Sequence, residues 1–253
     1  MNFFYGINND LFKSEIQIPL FQNRNFKKSN LKLFKSYPQN NKWILQEISS
    51  KKINEYFYIL KNKDILNNEI FFLADETILN EFDDKKLKNF NNFTDTSPAF
   101  RANFKIYLNQ GGFSSYQSEY PYSMITKKGT ILSSISSIAN SDADKNYVLI
   151  KNIFEEPIEE NFKAYLVNYK TKSIEEQFEI KTNYTNCIEI SNSLIKPEIF
   201  LTTDKYLGIP MYVSVKNSYL SFEHTHPPHE YISSENKFVK FYKLKNEINE
   251  IIS

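Results

Sequence analysis

The chain has 253 residues, 31 of them basic and 30 acidic, and carries two arginines, three histidines and one cysteine. A chain this long buries a core without staples. Lone Cys187 excludes a disulfide framework and fits a reducing compartment, and near-balanced charge gives no broad positive field for nucleic acid. The apolar runs Tyr56 to Leu60 and Ile70 to Ala74 are far shorter than the roughly 18 residues of a membrane span. Met1 to Asp10 lacks the basic residues and long apolar stretch of an export signal. The expectation is therefore a cytoplasmic protein with neither a nucleic-acid nor a membrane partner.

In chain order, residues 1–97 read as an α+β region. Lys42 to Ile48 and Glu69 to Leu73 have strand character, and Ala74-Asp75-Glu76-Thr77 leading into Ile78, Phe82 and Leu87 predicts an N-capped helix. Lys51 to Lys63 is ambiguous, with helical spacing of Ile53, Tyr56, Ile59 and Leu60 but strand composition from Tyr56 to Leu60. Residues 98–232 have the stronger strand signal. Phe104, Ile106 and Leu108 alternate with Asn103, Lys105 and Tyr107 before a turn at Gly111-Gly112. Further strands are expected at Tyr147 to Phe154, Phe162 to Tyr169, Ser173 to Ile180, Asn186 to Ile190, Ile199 to Thr203, Met211 to Val215 and Tyr219 to His226. Short strands at this spacing predict a mostly β fold, an antiparallel β-sandwich or jelly roll. The tail, residues 233–253, holds Phe238, Phe241, Leu244, Ile248 and Ile251 and is expected to dock on the body as a short strand or helix.

Two stretches carry chemistry. In Gln110 to Tyr122 the hydroxyls and amide of Ser114, Tyr116, Gln117 and Tyr120 suit a small polar, sugar-like ligand, although a glycine pair also makes an ordinary hairpin turn. Arg101, one of two arginines beside many lysines, is expected on the polar face opposite Phe104, Ile106 and Leu108, where its planar fork would hold an anion or carboxylate.

The second stretch is Glu223-His224-Thr225-His226-Pro227-Pro228-His229-Glu230, which holds every histidine of the chain. On a strand, Leu220, Phe222, His224 and His226 share one face and Glu223 lies on the other, and the prolines end the ladder. Two imidazoles on one face, with His229 or Glu230 as a third ligand, form a donor set for zinc, iron or manganese. Glu230 or Glu223 would serve as a proton carrier if the site is catalytic. Rigid-loop histidines bonded to backbone carbonyls, and metal-free acid-base work, are the alternatives.

The spacing His224-x-His226-x3-Glu230 resembles the first metal motif of cupins, with Ser218 and Lys237 where that family places glycines and no histidine after His229. That resemblance implies a jelly roll with a divalent metal. Met211 to Val215 followed by Leu220 to Thr225 is similar to the last strands of the β-sandwich transducers associated with sensory rhodopsins, which implies a non-catalytic ligand- or partner-binding module.

Overall fold

The computed structural model describes residues 2–20, 31–48, 52–54, 56–89, 102–109, 111–117, 119–122, 125, 129–224 and 235–253, with the side chains of 2, 52–54, 224 and 235–239 excepted. The fold is mostly β, and every described strand pairing is antiparallel. Two compact units divide the chain. The first comprises residues 1–126 with 153–159 and 183–185, and the second comprises 127–152, 160–182 and 186–253. Among the described residues no helix is long and apolar enough to cross a membrane.

The first unit contains β1 (Asn2–Phe3), β2 (Phe12–Pro19), β3 (Lys32–Gln39), β4 (Lys42–Glu47), β5 (Lys52–Asn54), β6 (Phe57–Leu60) and β7 (Ile70–Ala74). After helix α1 (Ile78–Glu81) come β8 (Asn103–Leu108), β9 (Phe113–Gln117) and β10 (Tyr120–Pro121). They form a five-stranded sheet, β5-β6-β2-β8-β9, a three-stranded sheet, β4-β3-β7, and the ladder β1-β10. Strand β2 alternates buried Phe12, Ser14, Ile16 and Ile18 with half-buried Lys13, Glu15 and Gln17, the pattern of a sheet with one wet face. Its Ile16 and Ile18 share a core with Leu33, Phe71 and Leu73 of the three-stranded sheet. Buried Ser14 is satisfied locally: its hydroxyl donates to Ile7 O at 2.7 Å and accepts from Ile7 N at 2.9 Å. Gly6 is required there, because a Cβ would lie 2.5 Å from Ser14 Oγ.

Asn40 and Asn41, both at positive φ (53° and 58°), turn β3 directly into β4, as a two-residue hairpin requires. The helix expected from Thr77 through Leu87 is a single turn ending at Glu81. Phe82 leaves it in extended conformation, Asp83 Oδ1 accepts from Lys85 N, and Leu87 is buried with its N–H donating to Glu155 O at 2.8 Å. The helical spacing of Ile78, Phe82 and Leu87 thus serves two separate anchoring points. The described residues of the ambiguous stretch from Lys51 to Lys63 form β5, β6 and the start of a 3-10 turn at Asn62–Asp64.

The second unit contains β11 (Leu132–Ser134), β12 (Lys145–Lys151), β13 (Asn161–Asn168), β14 (Ser173–Lys181) and β15 (Thr185–Ile190), the last starting within the first unit's residue 185. It continues with β16 (Ile199–Thr203), β17 (Ile209–Lys216), β18 (Tyr219–His224) and helix α2 (Glu235–Ile252). The sheets are β11-β16-β13-β14 and β15-β12-β17-β18, and buried Tyr212 of the second donates to Ser133 Oγ of the first at 2.7 Å. The tail is a helix, and Ile248 is fully buried beside Leu132, Tyr165 and Val167 of the first sheet.

Candidate functional site

Strand β18 is the edge of its sheet, joined to β17 by a two-residue turn in which Asn217 and Ser218 take φ of 49° and 67°. The turn is pinned by Asn217 N donating to Asp144 Oδ2 at 2.8 Å and by an ion pair between Lys216 and Asp142. Register then places Leu220 opposite Val215, Phe222 opposite Val213 and His224 opposite Met211. Phe222 is buried and Leu220 half-buried, while Tyr219, Ser221 and Glu223 are exposed. Apolar and polar rows therefore alternate up to the last residue of the strand, His224. His226, His229 and Glu230 lie outside the described residues, as does the side chain of His224. Among the described residues, no group of three His, Cys, Asp or Glu side chains is placed to hold a metal ion.

The second candidate stretch forms the β8–β9 hairpin. Phe104 and Ile106 are fully buried while Asn103 is exposed and Lys105 and Tyr107 are half-buried. Ser114 pairs with Ile106 and Tyr116 with Phe104, so these two share one face of β9, and Gln117, opposite Asn103, lies on the other. Tyr120 is not on this strand. It pairs with Phe3 in β10, and burial pushes its phenol far above the ordinary tyrosine range. Arg101 lies outside the described residues. Phe113, at the head of β9, is 63% exposed, and Lys105 Nζ stands 4.2 Å from its ring centroid.

Clusters distant in sequence also emerge. The Tyr206 hydroxyl and Lys205 Nζ, the latter at 3.0 Å, both bond the Glu160 carboxylate, and the Tyr206 ring stands edge-on to Phe162 at 5.3 Å. These bonds, the tyrosine's first, hold the Glu160 carboxyl below its usual range, and burial together with Glu160 raises the Tyr206 phenol. Asn183, buried at φ 50°, accepts from Phe154 N at 2.7 Å and donates to Glu156 O and Ile158 O, both at 3.1 Å. No local pattern announces either cluster, because the partners come from different strands and loops.

No protein-family model, curated protein or solved structure matches this chain.

Proposed function

We propose that this chain is a small-ligand-binding β-sandwich protein that holds a divalent metal, zinc, iron or manganese, on His224, His226 and either His229 or Glu230. The observation that carries this proposal is that β18 keeps its alternating register to His224, so the only three histidines of the sequence begin where a partly core-facing edge strand ends. The donor set fits a divalent ion of borderline softness, since imidazole and carboxylate together suit zinc, iron and manganese. When bound, such an ion supplies a Lewis acid for a carbonyl or water of a polar ligand. Glu230 or Glu223, the latter exposed on the opposite face of β18 at the neighbouring position, would carry a proton if the site is catalytic. The sandwich is supported by the two antiparallel four-stranded sheets of the second unit and the Tyr212–Ser133 bond between them.

Elemental analysis of purified protein and titration calorimetry test the metal. A near-stoichiometric divalent metal is expected. His224→Ala/His226→Ala should abolish binding, and His229→Ala should only weaken it if Glu230 is the third ligand. No binding above background by the unaltered chain overturns the proposal. A second proposal, a non-catalytic module that recognises its ligand or partner at the β8–β9 hairpin, is favoured by exposed Phe113 beneath Lys105. Phe113→Ala would weaken ligand binding under that proposal and leave metal titration unchanged.

A further inference from the structure

Helix α2 covers the β11-β16-β13 face of the second unit through Phe241, Leu244, Ile248, Ile251 and Ile252, of which Ile248 alone among its described side chains is fully buried. Lys245 interrupts this stripe. Positions 241, 245, 248 and 252 follow one another at helical spacing, so Lys245 belongs to the side of the helix that carries Ile248. Lys245 is half-buried, and its side chain makes no hydrogen bond or ion pair among the described residues. Burial lowers its pKa, the direction expected of a cation losing water without gaining a carboxylate. The sheet beneath has a polar mismatch of its own. Thr202, in register between Leu132 and Tyr165, is fully buried and its hydroxyl has no partner. Both features oppose docking, since a polar group taken from water without a compensating bond costs free energy.

What fastens the helix lies at its margin. Tyr169 donates to Glu247 Oε2 at 2.6 Å, Lys172 Nζ is 3.3 Å from the same oxygen, and Thr130 Oγ1 donates to Asn249 Oδ1 at 3.0 Å. The strand ladders of the sheet close without any hydrogen bond from α2.

We propose that α2 is a self-docked cover, which leaves the sheet as one body while the sheets stay folded and thereby opens the apolar face of Leu132, Tyr165, Val167 and Phe200. Lys245 and Thr202 keep the docked state shallow, and the Tyr169–Glu247–Lys172 group is the catch.

Hydrogen exchange on the full chain, read by mass spectrometry, tests it. In the unaltered protein, α2 amides are expected to exchange at least about tenfold faster than those of β13 and β16, through an opening that leaves both strands protected. Lys245→Met, which keeps the aliphatic stem and removes the charge, should slow α2 exchange about fivefold or more and leave β12 and β17 unchanged. Lys245→Gln is a second neutral variant should the first fold poorly. Tyr169→Phe should speed α2 exchange alone. Exchange of α2 in step with β13 and β16, or no slowing in either neutral variant, overturns the proposal.

Discussion

Asn183 does by itself what a longer loop would need several residues to do. One amide satisfies a backbone N–H and two carbonyls of the 154–158 segment, and an asparagine tolerates the left-handed φ of 50° better than most residues. Asn183→Ala removes these three hydrogen bonds, of which the one to Phe154 N is buried, and keeps the strained dihedral. We expect a loss of about 3 kcal/mol, read from urea unfolding of the full chain. Glu160 is governed by a different balance. Its carboxyl is held low in the folded protein, so the stability it contributes is present above the ordinary carboxylate range and is lost as pH falls through its depressed pKa. Tyr206→Phe removes the largest cause and should move the Glu160 titration upward toward the ordinary value, with Lys205 still below full compensation; NMR titration of that carboxyl is the measurement.

At the scale of elements, the β17–β18 hairpin is built against a local cost. Ser218 sits at φ 67°, where a side chain is unfavourable, and the flanking register from Lys216–Tyr219 to Met211–His224 holds it there. Ser218→Gly creates an Asn-Gly pair and should stabilise the protein by about 1 kcal/mol in chemical denaturation, with the pairing unchanged. The strands of residues 145–224 were legible in the sequence because apolar runs of strand length stand between short polar turns. Strands β2 and β3 were not, because buried Ser14 and Ser36 break their apolar rows, and only pairing with distant strands shows those hydroxyls to be interior. The helix expected after Thr77 failed for the converse reason. Its apolar spacing is genuine, yet Leu87 is claimed by the backbone of residue 155, far along the chain.

For the whole molecule, the spacing of short strand-like runs between polar turns sufficed to indicate a mostly β chain, while the division into two units depends on contacts between residues 1–126 and two later segments that no local pattern encodes. The candidate site was legible as residue types and spacing. The hairpin set was less so, since alternation separates Gln117 from Ser114 and Tyr116 and the ladder with β1 takes Tyr120 elsewhere. The proposed metal, if held by the native histidines and not by the unfolded chain, would add about 2.7 kcal/mol of stability at a hundredfold excess over its dissociation constant. Thermal melting should therefore rise with added zinc, fall back with chelator, and lose this response as pH drops below about 6.5, where imidazole protonates.

The passage of residues 153–159 and 183–185 into the first unit has a consequence for biosynthesis. Chains are synthesised at about 5–20 residues per second, and domains generally fold as units, the N-terminal one first. Here the first unit's β-strands are all made by Pro121, yet Trp43 Nε1 and Leu87 N wait for the carbonyl of Glu155, and Asn67 O waits for the N–H of Thr185. Translation thus holds the leading half in an unfinished state for seconds, and no single cut by a protease releases that half complete.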